Sequence, residues 1–444
     1  MLRFFYTVAM YLATPVIVWR LVARGFRYRG YFRRWRERFG RFPDPGLRDS
    51  IWVHAVSVGE VNAALPLIQS LQRRYAPRPM VVTTVTPTGS ERVRKLFGDA
   101  VFHVYLPYDL PRAVARFLDR VRPALAVVME TEIWPNLFHQ CGRRGIPMAV
   151  VNARLSERSL RGYRPIRALV RQALANVALV AAQSHADARR YRVLGARPGC
   201  VHVSGNLKYD MPLPKGARQR GDEMRMQWGA ARPVWFAAST HEGEELAAFE
   251  AHLRVLARMP DALLLVAARH PERFRLVEHA ARNLGFAVAT HSAADANAET
   301  QCLVIDAMGV MMRYFAACDL AFVAGSLVPI GGHNVLEPAA LSKPVVVGPY
   351  TFNFEEITRS MIEAGAARRV GSAQELGEVV LELLRDPPEL ARMGTAARAA
   401  CARARGAARR TMALLGRIFA RARYAQSETS PEPGHTDLPA QKTH

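Results

Sequence analysis

The chain has 444 residues, half of them apolar, and a formal net charge of +23 carried mostly by arginine. That much apolar content rules out a disordered chain and suffices for two ordinary domain cores, while the charge calls for an acidic partner such as nucleic acid, anionic lipid or a sugar phosphate. The five cysteines, Cys141, Cys200, Cys302, Cys318 and Cys401, have no C-x-x-C or Cys/His ligand spacing, which argues against a zinc site and for reduced thiols in a reducing, cytosolic setting.

From Phe4 to Trp19 the sequence "FFYTVAMYLATPVIVW" carries no charge, and if Arg20 snorkels the apolar run continues through Ala23, about the length that crosses a bilayer. Residues 1–25 are therefore expected to be a membrane anchor that either spans or lies re-entrant with Pro15 as a kink. No small-residue cleavage site follows, and the next segment, "RGFRYRGYFRRWRERFGRF", is too rich in arginine to translocate easily. Positive-inside bias keeps the body on the cytoplasmic side, with Arg24, Arg27, Arg29, Arg33, Arg34 and Arg36 facing anionic headgroups; the plainer reading is that these are solvated charges.

The body alternates buried strands with amphipathic stretches of helical length. "IWVHAV", "MVVTTV", "VFHVYLP", "ALAVVME", "MAVVNA", "LVAAQ" and "VHVSGN" are the candidate strands of one domain, residues 26–210. A polar, proline-bearing segment from Leu207, "LKYDMPLPKGARQRGDE", reads as a linker. The alternation restarts with "PVWFAAS", "ALLLVAAR", "CLVID", "LAFVAGS" and "PVVVGP" in a second domain, residues 211–423. Residues 424–444 are polar and proline-rich and are expected to be a disordered tail. The fold class is thus α/β, two doubly wound parallel sheets in tandem whose strand ends would face a cleft, and open α/β sheets bind ligands at the carboxyl ends of their strands.

Four groups of strand-end residues stand out. In "HAVSVGEV", Ser57 and Glu60 fit an S-x-x-E capping box, yet a carboxylate in a partly dry pocket at a strand end would also have its pKa raised into the range of a general base. In "METEIWPNL", Glu130 and Glu132 follow a strand; extended alternation would put them on one side, and Glu130, nearer the strand, is the better functional candidate. Arg154 in "NARLSERS" and Lys208 in "GNLKYD" would neutralise an anionic substrate or be ordinary solvated charges.

The fourth group lies in the second domain. "GSLVPIGGHNVLEPAAL" offers close backbone approach at Gly331 and Gly332, a helix starting near Asn334 whose N-terminal dipole end suits an anion, and Glu337 to bond a ribose diol. "STHEGEE" reads equally as a cap, Ser239 with Glu242, and His270 in "RHPERF" equally as a structural histidine. Neither a P-loop nor the dinucleotide glycine fingerprint occurs.

These segments, with "TPTGSERV", "YLPYDLP" and "GPYTFNF", in this order from the N-terminal anchor to about residue 420, resemble the 3-deoxy-D-manno-octulosonic acid (Kdo) transferases of lipopolysaccharide synthesis. The resemblance implies the GT-B arrangement of two Rossmann-like domains and transfer of Kdo from CMP-Kdo to the lipid A precursor, lipid IVA, at the cytoplasmic side of the inner membrane, with no metal in the transferase site and no cofactor. It implies that Glu60 accepts the proton of the acceptor hydroxyl and that Glu130 and Lys208 stabilise the transition state. It assigns CMP binding to Ala268 and Arg269, to Met308, Gly309 and Val310, and to Asn334, Val335, Leu336 and Glu337. Ala268 stands where that family pattern leads one to expect proline; a contact there would run through the backbone.

Two other readings follow from the same features: a GT-B enzyme for another sugar nucleotide and lipid, and a membrane-tethered nucleic-acid-binding protein. Strand-end acids at Glu60, Glu130 and Glu132 would repel phosphates along a nucleic-acid groove, which counts against the second and leaves anionic inner-membrane lipids as the expected partner of the arginines.

Overall fold

The computed structural model describes residues 1–210, 213–214 and 216–428. They fall into two compact units, which divide between Met211 and Pro212 and again between Arg405 and Gly406.

The first unit is built on a fully parallel sheet of β1 (Ser50–His54), β2 (Met80–Thr84), β3 (Phe102–Tyr105), β4 (Pro123–Met129), β5 (Met148–Ala153), β6 (Leu179–Ala182) and β7 (Val201–Val203). The spatial order is β3-β2-β1-β4-β5-β6-β7. The chain runs outward from β1 to β3 and then returns to the other side of β1, so β1 and β4 flank the point where the winding reverses, the position at which doubly wound sheets bind ligands. All seven expected strands are present because both faces of the sheet are covered, which makes each strand a short apolar run.

The second unit repeats the plan with β8 (Val234–Thr240), β9 (Leu263–Ala268), β10 (Val288–Thr290), β11 (Cys302–Val304), β12 (Leu320–Val323), β13 (Val345–Val347) and β14 (Ala367–Arg369), in the order β10-β11-β9-β8-β12-β13-β14. Its reversal lies between β8 and β12. β10 and β14 were not expected: each has three residues and lies at a sheet edge, too short for any periodicity to show.

Two expected boundaries move. Residues 407–423, assigned by sequence to the second domain, form the helix Ala407–Glu428 and pack on the first unit, where Met412, Leu415 and Phe419 join the core beneath α2 (Val58–Tyr75). The spacing of those three side chains places them on one helical face, and the Asp210 carboxylate accepts backbone N–H groups of Gly406 and Ala408 at the helix start. The expected linker is structured at both ends, a 3₁₀ turn at Leu207–Asp210 and the helix Ala217–Trp228. Of the expected tail, residues 424–428 continue the last helix, and 429–444 lie outside the described residues.

The N-terminal helix α1 (Leu2–Arg27) runs unbroken through Pro15 and is long and apolar enough to cross a membrane. It lies along the first unit. The Tyr6 hydroxyl donates to Asp109 at 3.0 Å and the Thr7 hydroxyl to Asn136 at 3.1 Å; at the other end Leu21 is buried and Gly25 sits against the ring of Phe32, which leaves no room for a Cβ. The opposite face is bare, with Leu12 75% and Trp19 69% exposed. Of the arginines expected to face headgroups, Arg24, Arg29, Arg33 and Arg36 are exposed, but Arg34 turns inward to Glu37 at 2.6 Å and the His103 carbonyl at 2.7 Å. The side chain of Arg27 lies outside the described residues.

Candidate active site

Glu60 sits in the first turn of α2, immediately beyond β1. Ser57 is the N-cap residue, but its side chain makes no capping bond; instead Glu60 Oε2 reaches back to accept the Val56 N–H at 2.8 Å. The expected capping box is therefore not built, since the Glu60 carboxylate bonds the residue before the cap and not the Ser57 N–H. The Glu60 side chain is half-buried, neither packed in the core nor free in solvent. Burial raises its pKa to about 7, opposed by the Val56 hydrogen bond; the Glu130 and Glu132 charges raise it further and Lys208 lowers it.

Glu130 follows β4, the strand paired with β1 on the far side of the winding reversal. Its backbone turns left-handed, with φ +56°, held by the Glu130 N–H to the Val151 carbonyl at 2.9 Å and by the Tyr191 hydroxyl donating to the Glu130 carbonyl at 3.0 Å. A non-glycine residue in that region costs about 1 kcal/mol or more and persists where surrounding contacts enforce it. The chain therefore leaves the extended conformation at Glu130, and the strand alternation expected to put Glu130 and Glu132 on one side does not apply. Glu130 faces Lys208 Nζ at 3.4 Å, whereas Glu132 accepts the Trp134 indole N–H at 2.9 Å. Burial raises the Glu132 pKa, the Trp134 bond lowers it, and Glu130 raises it.

Lys208 lies in the 3₁₀ turn beyond β7 and is brought to Glu130 by Asn152. This buried residue has φ +51°; its side-chain Oδ1 accepts the Leu207 N–H at 2.9 Å while its side-chain Nδ2 approaches Glu130 Oε1 at 3.5 Å. Sequence reasoning missed Asn152. The available signal was a polar residue inside the otherwise apolar run "MAVVNA". Arg154, the other basic candidate, is half-buried and makes no side-chain bond among the described residues.

In the second unit, Ala268 closes β9 and is buried; Arg269 beside it is exposed and its N–H donates to the Thr240 carbonyl at 2.9 Å. Met308, Gly309 and Val310 form an open turn before the helix Met311–Ala317, with Gly309 at φ +82°. Asn334 donates to Glu337 Oε1 at 3.2 Å and accepts the Leu336 N–H at 3.2 Å. Val335 and Leu336 are buried, and burial raises the Glu337 pKa while Asn334 and then Arg269 lower it. The helix expected to begin near Asn334 has only five residues, Leu336–Ala340, so the dipole contribution expected there is small. Gly331, at φ +106°, packs on Phe352 and Asn353 where a Cβ would clash, which explains its glycine.

The cap expected at Ser239 and Glu242 does not form. Ser239 is left-handed at a strand irregularity, Glu242 is exposed beside Arg273, and the helix Glu244–Leu256 is preceded by Gly243. The carboxylate that matters is Glu244, which sequence reasoning passed over: buried, it accepts backbone N–H groups of His241, Gly325, Ser326 and Leu327 at 2.7–3.0 Å. Beside it the rings of His241 and His333 stack with Nε2 atoms 2.9 Å apart. His270 is half exposed with its ring 5.4 Å from His241, so it is not a core histidine.

Two doubly wound units, each with its polar groups gathered at strand ends beside the winding reversal, define the GT-B fold class. Solved structures agree on the fold: a glycosyltransferase from Rickettsia africae aligns with a TM-score of 0.57 at 12% identity, covering 84% of this chain and 98% of that one. A putative UDP-N-acetylglucosamine 2-epimerase from Listeria monocytogenes aligns at 0.55 and 15% identity, covering 86% and 98%. Sequence comparison goes further. The chain is 41% identical to the 3-deoxy-D-manno-octulosonic acid transferase of Haemophilus influenzae over 94% of its own length and 98% of the relative's. It is 38% identical to the enzyme of that name from Bordetella pertussis over 92% and 98%, and residues 33–211 match the family described as 3-deoxy-D-manno-octulosonic-acid transferase (kdotransferase). The chain belongs to the Kdo transferase family, and it is a glycosyltransferase.

Proposed function

We propose that the protein transfers Kdo from CMP-Kdo to the lipid A precursor, lipid IVA, with Glu60 as general base. The observation that carries this reading is the Glu60 carboxylate, half-buried at the carboxyl edge of β1 with a pKa of about 7, beside the Glu130–Lys208 pair. A base of that pKa is ionised in a useful fraction near neutral pH and still takes a proton readily. In the step assigned to it, an acceptor hydroxyl loses its proton to Glu60 as its oxygen bonds to the anomeric carbon of Kdo. The bond from that carbon to the phosphate oxygen breaks and its electron pair leaves with CMP.

The first unit supplies the base and Lys208, whose ammonium can offset charge developing near Glu130. The second unit binds the nucleotide through the Ala268 backbone, Arg269, the turn Met308 to Val310, and Asn334 to Glu337, with Glu337 accepting from the ribose hydroxyls. The reading assigns charge neutralisation to Lys208 and Arg269 and so requires no metal ion: transfer rates with and without EDTA should be equal.

Attachment to the cytoplasmic face of the inner membrane fits the same chemistry. The bare apolar face of α1, with the exposed arginines that follow it, suits a helix lying in the interfacial zone of an anionic bilayer. The test of function is direct. Purified protein incubated with CMP-Kdo and lipid IVA should give a product heavier by whole Kdo units in mass spectrometry, and an unchanged acceptor mass would refute the assignment. Glu60→Ala should reduce transfer by a factor of about 10²–10⁴ with donor affinity nearly unchanged.

A further inference from the structure

At the root of α1 the first unit carries a pocket of about 690 Å³, within the range of about 300–1,000 Å³ typical of small-ligand sites. Four arginines line it: Arg36 and Arg41 from the 3₁₀ turn after α1 and its exit, and Arg112 and Arg116 from the helix Pro111–Val121. No acid is among the lining residues. The carboxylates nearby are engaged elsewhere: Glu37 with Arg34 and the Tyr105 N–H, Asp44 with Arg122, Asp119 with Arg144, and Asp109 with Tyr6 and the backbone of Asn136 and Leu137.

The side chains of Arg36, Arg41 and Arg112 have no hydrogen-bond or ion-pair partner among the described residues. Arg116 donates from Nη2 to the Phe39 carbonyl at 2.6 Å, but its Nε is buried without a partner. Four guanidinium groups sharing one concavity repel one another, and an anion seated there relieves that repulsion. Guanidinium forks match phosphate geometry.

The remaining walls are mostly apolar. Tyr11 and Pro15 of α1, Trp35, Phe39, Leu110 and Ala113 line them with Thr14, whose hydroxyl donates to the Met10 carbonyl at 2.9 Å, and Tyr11 and Pro15 adjoin the outward face that carries Leu12 and Val16. A ligand that placed phosphate on the arginines could therefore continue onto that face with hydrocarbon. We propose that this pocket binds the phosphodiester headgroup of an anionic bilayer phospholipid, with acyl chains running along α1, and so fixes the protein's orientation on the membrane. The inference rests on the membrane attachment given above but not on the transferase chemistry.

The full chain in neutral detergent should bind water-soluble dihexanoyl-phosphatidylglycerol at one saturable site by calorimetry. R41Q/R112Q removes two cations that make no internal bond, and should weaken that binding about tenfold or more, whereas R29Q/R33Q, which removes equal charge outside the pocket, should leave it within about twofold. Equal losses in both variants would show diffuse surface charge and overturn the pocket. Inorganic phosphate binding as tightly as the lipid would make it a free-phosphate site, and no saturable binding would also overturn the proposal. Kdo transfer to acceptor dispersed in detergent separates the sources: R41Q/R112Q should keep the wild-type KM for acceptor, and a raised KM would reassign the pocket to the acceptor. Failure of the wild type to transfer Kdo would sink the proposed function and leave the lipid-binding result standing.

Discussion

The two units place a glutamate at corresponding points, just beyond the first strand of each sheet and beside its winding reversal, and use it in opposite ways. Glu60 after β1 has one backbone donor and is half open. Glu244 after β8 has four backbone donors and is wholly buried. With backbone donors of two loops committed to it, Glu244 is a fixed brace that ties the loop after β12 to the helix Glu244–Leu256, whereas Glu60, held by one bond, leaves carboxylate surface open for the base role proposed above. Donor count, more than residue type or strand position, separates these two acids.

The largest expected break in this comparison is Glu60→Ala, through the loss of transfer given above. Next comes Glu244→Ala, which strands buried N–H groups and should destabilise the second unit by about 3–5 kcal/mol, seen as an early thermal transition, while the first unit melts as in the wild type. If Glu244→Ala left the melt unchanged but abolished donor binding, the contrast between brace and base would be wrong.

Lys208→Met should reduce kcat by about ten- to a hundredfold, and, because Lys208 lowers the Glu60 pKa, it should also move the acid limb of the kcat/KM profile to higher pH. In the wild type that limb should fall below about pH 7, since protonated Glu60 cannot act as base; a limb at the ordinary carboxylate range would remove Glu60 from the role. The same raised pKa has a stability consequence of known sign. Ionising Glu60 costs more in the fold than in the unfolded chain, so it lowers stability progressively as pH rises from about 4.5 through about 7. Glu60→Gln should therefore stabilise the first unit at alkaline pH, by about 1–2 kcal/mol after allowance for solvent, with little effect at acid pH. The smallest effect concerns the donor: Glu337→Ala should raise the CMP-Kdo dissociation constant about tenfold, measured by calorimetry, with the acceptor KM unchanged.

Much of this was legible in the residues. Parallel strands buried on both faces are continuous apolar runs, so all seven strands of the first sheet and five of the second could be read, and the helix α1 announced itself by sixteen uncharged residues from Phe4 to Trp19. Quoted motifs located Glu60, Glu130 and Lys208 at strand ends. What escaped was whatever depends on partners distant in sequence. Asn152 and Glu244 look unremarkable until the loops they hold are in place, and the helix Ala407–Glu428 was assigned to the wrong unit because an amphipathic face does not state which core it covers.

By itself, then, the sequence determined the α/β class, the succession along the chain of all strands but two short edge ones, the apolar helix and the family, because those follow from local periodicity and contiguous motifs. Tertiary structure alone decided which carboxylate is tied down by backbone donors and which stays half open, that α1 lies against the first unit through Tyr6 and Thr7, and that two pairs of arginines, each pair far from the other in the chain, share one pocket. The reason is that pKa and charge balance are set by burial and by the donors that surround a group, and those neighbours are chosen by the fold and not by adjacency along the chain.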